Sequence, residues 1–381
     1  MKKLRLTLVK GIIGGVLIAT AIPPTLYWGW DYAYASVSAS PAALHSISEM
    51  TAKLTNAMKQ RSETITFTYE GSTVNLKSQV QSAIDKGMES DPYLHYIVDS
   101  YAFSYRGSSR SAKVTVEMKY LESLQQTAYV TQEVTSALKK IIKPGMNNHE
   151  KVRVIHDWVV LHLKYDNSYR KYTAYEGLQS GSAVCQGYSL LTYKMLKEAG
   201  INNRIVEGTA RPEGGRSQSH AWNLVQLDGR WYHLDTTWDD PSPDLAGAVS
   251  TTYYLRTDTQ MRADHTWTKS YPAASVAYHQ TLAELIKNGG AKKGVYLNLQ
   301  QQLNYGLYEE AKVVTSSAGI LDLAKKAETA GKSSILFRYR GSKIALKNDL
   351  QQLFDLGLDN LSYSCSLFEK TGDLKVYVTW K

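Results

Sequence analysis

Residues 181–240 read GSAVCQGYSLLTYKMLKEAGINNRIVEGTARPEGGRSQSHAWNLVQLDGRWYHLDTTWDD, and this stretch decides the fold. Small residues precede Cys185, and apolar residues recur at helical spacing after it until Gly200. The pattern predicts that Cys185 lies in the first turn of a helix. Because the backbone N–H groups are unpaired there and the helix dipole is positive, this position favours a thiolate, the form that attacks carbonyls.

Two alternating segments then meet at Asp228-Gly229, a pair typical of type I′ turns, so we predict a hairpin. Counting back from the turn pairs His220 with Thr237 and Trp222 with Asp235. His220 and Asp235 then become diagonal neighbours on one face of the sheet. A carboxylate in that place orients the imidazole and leaves its other nitrogen for a nucleophile.

Three motifs resemble those of the bacterial transglutaminase-like superfamily: AVCQGY at 183–188, HAWN at 220–223 and WYHLDTTW at 231–238. Four shorter ones extend the resemblance: IHDW at 155–158, YD at 165–166, YYL at 253–255 and DHTW at 264–267. The similarity covers about residues 146 to 275. It contains a Cys, a His and an Asp in the family's order.

The resemblance implies an α+β fold with a papain-like core, in which a helix carrying Cys185 packs on an antiparallel sheet carrying His220 and Asp235. It further implies cleavage or transfer of acyl groups through a Cys thioester. Members include transglutaminases, peptidases, deglycosylating amidases and inactive proteins, so the acyl acceptor stays open. We expect no cofactor and no metal, since neither an acidic calcium loop nor a complete ligand cluster is found in the sequence.

An oxyanion formed at Cys185 needs hydrogen-bond donors. We predict the backbone N–H of Cys185 as the first donor and regard Gln186 and Trp158 as candidates for the second. Trp158 lies on a helix predicted to begin at an Asn147 capping box. Family members use an upstream indole or amide here, although such a Trp is more often a core residue.

A polar loop, residues 211–216, precedes His220 and is predicted to line the substrate entrance. Its Arg211 and Arg216 would receive an acidic peptide, and Trp222 is a third candidate at the entrance. A solvated turn is an equally ordinary interpretation of the loop. The expected partner is therefore a protein or peptide substrate.

Three other residues resemble site residues by type. His233 shares the sheet face of Asp235, but it pairs with Leu224, farther from the point where His220 and Asp235 meet. The adjacent residues 264 and 265, an Asp and a His, are predicted to be structural supports near the core.

The chain has two cysteines, Cys185 and Cys365. In an exported protein they could form a disulfide, which would exclude the enzyme interpretation. Their places in different predicted modules argue against it. A competing function is a catalytically inactive scaffold that binds cell wall or protein, because the 27 tyrosines suit peptide or glycan surfaces.

The N-terminus predicts export. Residues 1–35 carry four cations, an apolar run and a final Ala-Tyr-Ala, a pattern typical of a signal peptide. An uncleaved anchor spanning residues 11–30 is the alternative, and the only membrane contact expected. Removing residues 1–35 takes away four cations and one acid, which changes the net charge from +9 to +6. The scattered cations argue against nucleic-acid binding and suit an anionic cell-wall polymer, with solubility alone as an equal alternative. The protein is expected at the cell surface or secreted.

Four segments are therefore predicted: a signal peptide or anchor at 1–35, an α/β module at 44–145, the transglutaminase-like core at 146–290 and a second α/β module at 315–381. Both modules show the order helix, strand, helix, strand, strand. Phe67-x-Tyr69-x-Gly71 in the first matches Phe337-x-Tyr339-x-Gly341 in the second. We predict an internal repeat, with coincidence between two ordinary α/β units as the alternative.

Overall fold

The computed structural model describes residues 43–212, 214–241, 248–369 and 371–381. The predicted export segment, including residues 11–30, lies outside these ranges. Within them, no helix is both long and apolar enough to cross a membrane. The chain forms two compact units: one has the described residues up to Thr209 with those of Gln218–Val225 and Asp235–Ser250, and the other has the remainder.

The N-terminal module begins with a helix capped by Ser46. Its elements are α1 (Ile47–Lys59), β1 (Thr64–Glu70), α2 (Leu76–Glu89), α3 (Pro92–Ile97), β2 (Val98–Gly107) and β3 (Ser111–Tyr120). The strands form an antiparallel sheet in the order β1-β3-β2. Alternation along β1 and β3 buries one face of the sheet, as expected for a half-buried sheet.

The central part of the chain is longer and mixes helices with short strands. Its elements are α4 (Leu124–Ile141), α5 (Asn148–His162), β4 (Lys164–Tyr165), α6 (Ala174–Ser180), β5 (Ser182–Ala183), α7 (Cys185–Glu198), β6 (Asn203–Ala210), β7 (Gln218–Leu227), β8 (Arg230–Leu234), α8 (Asp258–Met261), β9 (His265–Thr266), α9 (Tyr278–Asn288) and α10 (Lys293–Gln302). One sheet has the strand order β8-β7-β6-β9, and β4 pairs with β5 in parallel.

Local sequence signals decide several of these boundaries. Asn147 and Glu150 form the predicted capping box at the start of α5. Asp228 and Gly229 both have positive φ, 47° and 79°, which is the requirement of a type I′ turn. The predicted second strand of the hairpin ends early, since β8 stops at Leu234 and the chain turns from Asp235 onward.

The C-terminal module contains α11 (Ser317–Thr329), β10 (Ser334–Tyr339), α12 (Lys343–Gln351), β11 (Ser362–Leu367) and β12 (Leu374–Thr379). Its sheet has the order β10-β12-β11. Both helices and the sheet contribute to one apolar core, which includes Ile320, Phe337, Leu346 and Val376. The predicted α+β fold, with a core flanked by two α/β modules, is confirmed.

The two modules share a structural detail that accounts for their shared motif. An isolated parallel bridge joins Leu44 to Tyr69 in the first module and Val314 to Tyr339 in the second. Each tyrosine then folds over the glycine two residues later. A Cβ on Gly71 would lie 2.6 Å from Tyr69 Oη, and one on Gly341 would lie 2.5 Å from the Tyr339 ring. The ring takes the space of a side chain, which only glycine allows. A common origin for the two modules stays a prediction.

Candidate active site

Cys185 is the first residue of α7, after an extended Val184. Two contacts fix this start: β5, immediately before it, pairs with β4, and Val184 N donates to the Lys171 carbonyl at 2.9 Å. The Cys185 side chain is half-buried, so the sulfur is sheltered without being sealed off. As predicted, the sulfur lies at a helix start, where first-turn N–H groups have no partner within the helix.

His220 and Asp235 contact each other directly. His220 Nε2 lies 2.6 Å from Asp235 Oδ2, and the aspartate side chain is fully buried. The other oxygen, Asp235 Oδ1, accepts hydrogen bonds from the backbone N–H groups of Thr237 at 3.0 Å and Trp238 at 3.2 Å. The carboxylate is therefore held on both sides. Because Nε2 is occupied, Nδ1 is the imidazole nitrogen left for a nucleophile.

His220 also interacts with Cys185. Burial of the ring lowers the pKa of His220, but the charge and hydrogen bond of Asp235, helped by a hydrogen bond with Cys185, outweigh burial and raise that pKa to about 10. The imidazole is thus protonated at neutral pH, beside the sulfur. The structure brings together the three residues that the sequence proposed as a catalytic set.

Two indoles flank the imidazole. Trp222 stacks on His220 with ring centroids 5.8 Å apart and an interplanar angle of 21°. Trp238 lies tilted at 5.7 Å. Trp222 is only 1% exposed, which contradicts its predicted place at a substrate entrance, since its ring packs in the core instead. Trp238 belongs to the sequence motif at 231–238, but sequence reasoning gave it no role.

Ser189 links helix α7, which carries Cys185, to strand β7, which carries His220. Its Oγ donates to the Ala221 carbonyl at 2.7 Å, or to the Cys185 carbonyl at 2.8 Å. Asn223 Nδ2 in turn donates a hydrogen bond to the Ser189 carbonyl at 3.1 Å. These bonds join α7, one turn after Cys185, to β7, one residue after His220. They set the distance between the nucleophile and its base.

A buried ion pair holds the turn that carries Asp235. His156 on α5 lies 3.1 Å from Asp239 Oδ2, and both side chains are fully buried. On its other nitrogen, His156 contacts Asp157 at 2.9 Å. Burial lowers the pKa of His156, but the hydrogen bonds to Asp157 and Asp239 raise it above its ordinary value. Asp239 N donates to the Asp235 carbonyl, so the pair fixes the backbone of the aspartate.

Helix α7 supports the same turn from another side. Tyr188 Oη donates to Asp240 Oδ2 at 2.6 Å, and the hydroxyls of Thr192 and Thr236 lie 3.0 Å apart. The turn at 235–240 is therefore bonded to both α5 and α7. Neither Asp239 nor Asp240 was among the predicted site residues.

The two candidates for a second oxyanion donor have other contacts. Gln186 Nε2 donates to the Tyr96 carbonyl of α3 at 2.9 Å, in a buried position. Trp158 stacks on His162 with ring centroids 3.7 Å apart. Neither contact gives the side chain a place at an oxyanion, so the second donor stays a prediction.

The predicted entrance arginines, Arg211 and Arg216, are exposed. Arg211 Nε donates to the Gly215 carbonyl at 3.3 Å, which closes the loop on itself. That bond suits an ordinary solvated turn as well as an entrance, so the role of the loop stays a prediction.

The remaining candidates have partners of their own. His233 Nε2 lies 2.8 Å from Asp258 Oδ1, and burial lowers the pKa of His233 although Asp258 opposes the shift. Asp264 accepts from Tyr253 Oη at 2.6 Å and contacts His265 at 2.5 Å. Cys185 and Cys365 are both free thiols, so the disulfide alternative is wrong.

Two tyrosines beside the sulfur were missed. Burial raises the pKa of Tyr165 and of Tyr172, and the charge of Cys185 adds to both shifts. The resemblance motif YD at 165–166 contained one of them. Tyr165 and Tyr172 lie 20 and 13 residues before Cys185, and neither spacing indicated that the phenols would lie within electrostatic reach of the sulfur.

The sequence has relatives. Residues 135–236 match the model of the Transglutaminase-like superfamily. Kyphoscoliosis peptidase of Mus musculus is 27% identical over 172 residues, and that of Homo sapiens is 26% identical over 174. Each match covers 41% of this chain and 26% of the relative, so the chain spans about a quarter of the length of the curated relatives it matches.

Among solved structures, a TGase matches with a TM-score of 0.25 and 12% identity, covering 49% of this chain and 58% of that chain. A TM-score of 0.25 is too low to show that the two folds are the same. The sequence match and the observed mixture of helices and antiparallel strands agree with each other. The stretch 135–236, which contains Cys185, His220 and Asp235, is therefore similar in sequence to the core of the Transglutaminase-like superfamily.

Proposed function

We propose that this chain is a thiol enzyme that acts on amide bonds of proteins or peptides through a thioester on Cys185. The observation that carries the proposal is the His220 imidazole, bonded to the buried Asp235 carboxylate and in contact with the Cys185 sulfur. Such a pair supplies a thiolate and a proton donor in one place.

In the first half-reaction, the Cys185 thiolate adds to the amide carbonyl carbon. The oxyanion is met by the backbone N–H of Cys185. His220 gives its proton to the amide nitrogen, the C–N bond breaks, and the amine leaves with the thioester formed. Asp235 keeps the imidazole in place throughout.

In the second half-reaction, His220 accepts a proton from the incoming nucleophile. Water yields the carboxylic acid, whereas a primary amine yields a new amide; each route restores the thiolate and the imidazolium. We favour hydrolysis, because the matching curated relatives are named peptidases. A crosslinking enzyme differs only in the second nucleophile, and in how well its site excludes water.

Alkylation by iodoacetamide tests the thiolate, with Cys365 of the same chain as internal control because both thiols are half-buried. Peptide mapping by mass gives the two rates in one reaction. At pH 6 we expect Cys185 to react roughly 100-fold faster than Cys365, and Asp235→Asn to remove most of that difference. Equal rates would favour the scaffold alternative.

Product analysis separates the two acceptors. Wild type and Cys185→Ala are incubated with a peptide mixture in heavy-oxygen water, with and without a primary amine. Incorporation of heavy oxygen at new carboxyl ends supports a peptidase, and incorporation of the amine supports a transglutaminase. Products that persist in Cys185→Ala would refute the thioester route.

We also propose that the enzyme acts outside the cytoplasm, secreted or at the cell surface, where its net charge of +6 after cleavage suits anionic wall polymers. The support is the signal-like pattern of residues 1–35. N-terminal sequencing of the mature chain should give Ser36. A chain that keeps Met1 and sediments with membranes would favour the anchor, and one that stays in the cytosol would refute export.

A further inference from the structure

A hydrogen-bonded loop at residues 165–172, which we call the tyrosine loop, lies against the start of α7. One buried carboxylate organises it. Asp166 Oδ1 accepts from the N–H and hydroxyl of Ser168 at 3.0 and 2.6 Å. Asp166 Oδ2 accepts from Arg170 N at 2.8 Å and Lys171 N at 3.0 Å. Burial raises the pKa of Asp166, but these bonds outweigh it and lower that pKa to about 2, so the carboxylate stays charged.

Both ends of the tyrosine loop are fastened to the residues just before the nucleophile. Asp166 N donates to the Ala183 carbonyl, and Val184 N donates to the Lys171 carbonyl, each at 2.9 Å. Tyr165 is also the register partner of Ala183 in the β4–β5 pair. The loop is therefore placed as firmly as Cys185 itself. The influence of the sulfur on the phenols of Tyr165 and Tyr172 agrees with this placement.

Of the three tyrosines in the loop, only Tyr169 is exposed. Tyr169 is 44% exposed, and its ring meets the Tyr165 ring edge-on with centroids 6.3 Å apart. Its backbone has a φ of 55°, in the left-handed region that a large side chain adopts only at a cost in free energy. Because the Tyr169 ring is exposed, burial of apolar surface does not compensate for this free energy. The Tyr169 ring contacts Tyr165, and the sulfur of Cys185 influences the Tyr165 phenol. An exposed aromatic ring on a hydrogen-bonded loop is well suited to bind a substrate, because a tyrosine side chain loses little conformational freedom when it makes a contact.

We propose that Tyr169, supported by Tyr165 and Tyr172, is a specificity wall that packs against an aromatic or large aliphatic side chain next to the scissile amide. This inference rests on the proposed function. It assigns Tyr169 to substrate selection, whereas Cys185, His220 and Asp235 perform the chemistry. The wall acts on binding and on kcat/KM for apolar peptides, and leaves the reactivity of the sulfur unchanged.

The test compares Tyr169→Ala and Tyr169→Phe in the full chain. Tyr105→Ala is the matched control, because Tyr105 has the same 44% exposure on a strand of the N-terminal module. Blocked peptides that differ in one residue, Phe, Leu, Ser or Glu, serve as substrates. We expect Tyr169→Ala to lower kcat/KM about tenfold for Phe and Leu peptides and to leave Ser and Glu peptides unchanged. Tyr169→Phe and Tyr105→Ala should behave as wild type.

Two further measurements keep the outcomes distinct. Iodoacetamide should label Cys185 at the wild-type rate in Tyr169→Ala, so a slowed rate would mean that the substitution disturbs the site, and would overturn the wall. Binding of the same peptides to Cys185→Ala protein, followed by fluorescence anisotropy, needs no turnover. If Phe and Leu peptides bind Cys185→Ala and the Cys185→Ala/Tyr169→Ala double variant equally, the inference fails, whether or not the chain proves to be an enzyme. Absent turnover with a selective loss of binding would refute the proposed function alone.

Discussion

The N-terminal and C-terminal modules share a strand order and an isolated parallel β-bridge at a tyrosine. They differ in the segment between the second helix and the second strand. The first module inserts α3 there, whereas the second has a 3-10 turn at Gln352–Leu356. Helix α3 contacts the cysteine helix. Its Tyr96 carbonyl accepts from Gln186, next to the nucleophile, and the Tyr93 ring lies 5.9 Å from Lys194 Nζ.

The short helix α3 thus gives the N-terminal module a structural role at the site. The cap of α3, Asp91, also pairs with Lys197 at 3.5 Å, so the contact runs along three turns of α7. The contact with α7 comes from the six residues of α3 and their cap, Asp91, and not from the α/β architecture that the two modules share. Substitutions at equivalent places in the two modules can therefore separate the stability of a module from its effect on the cysteine.

The largest effects are expected in the two apolar cores. Phe67 and Phe337 occupy equivalent positions and are each 3% exposed. Replacing either by Ala should lower the free energy of unfolding of its module by about 3–5 kcal/mol, because a buried cavity is left. Only Phe67→Ala should also slow iodoacetamide labelling of Cys185, since that module contacts α7. Urea unfolding and labelling measure both effects. Equal slowing by the two variants would remove the distinction drawn between the modules.

Each module also buries a carboxyl group, and the pKa values of the two groups shift in opposite directions. Burial raises the pKa of Glu122, which hydrogen-bonds Tyr93 Oη at 2.9 Å. Hydrogen bonds, first that from Arg340 and then that from Arg338, lower the pKa of Asp373. Ionisation of Glu122 therefore lowers the free energy of unfolding as the pH rises above 4.5, the ordinary pKa of a glutamate. The stabilising contribution of Asp373 is instead lost as the pH falls below 3.8, the ordinary pKa of an aspartate.

This difference predicts different outcomes for two neutral substitutions. At pH 7, Asp373→Asn should cost about 2 kcal/mol because a charged acceptor is lost from two arginines. Glu122→Gln should stay within about 1 kcal/mol, since a neutral amide oxygen can still accept from Tyr93. Urea unfolding at pH 4 and pH 7 gives both values and their slopes. A larger loss for Glu122→Gln than for Asp373→Asn at pH 7 would contradict the assignment.

Local signals allowed much of the site to be predicted from sequence. Small residues before Cys185, the Asp-Gly turn and the Asn147 capping box each act within a few residues, and each leads to the expected element. The hairpin turn was enough to bring His220 close to Asp235, although β8 ends one residue before the aspartate.

Contacts between distant segments could not be predicted in this way. Helix α3 has only six residues, too few to show a helical period. The His156–Asp239 pair joins residues 83 apart, and no spacing rule reaches across such a distance. Trp222 was misplaced because β7 is buried on both faces from His220 to Val225, so alternation no longer separates an inner from an outer side.

The contact between α3 and α7 predicts a smaller effect. Gln186→Ala removes the bond to Tyr96, a loss of about 1 kcal/mol, or about 1–3 kcal/mol if the buried carbonyl stays unpaired. Cys185 labelling should slow a few-fold, because the first turn of α7 loses its contact with the N-terminal module. Gln186→Glu is the stricter variant, since a carboxylate of similar shape cannot donate to the carbonyl and should be at least as harmful. Unchanged labelling in both would show that α3 supports the fold without affecting the site.

The smallest effect concerns the two bridging tyrosines. Tyr339 Oη donates to Asp349 Oδ2 at 2.7 Å, and this acceptor helps to raise the pKa of Tyr339 to about 12, after burial. The place equivalent to Asp349 is Gln79, whose Oε1 is buried without a hydrogen-bond partner among the described residues. Tyr339→Phe should therefore cost about 1 kcal/mol, whereas Tyr69→Phe should cost under about 0.5 kcal/mol. Thermal unfolding of both variants measures the difference. Equal costs would mean that the ring over glycine, which both modules share, provides the stabilisation and that the hydroxyl is incidental.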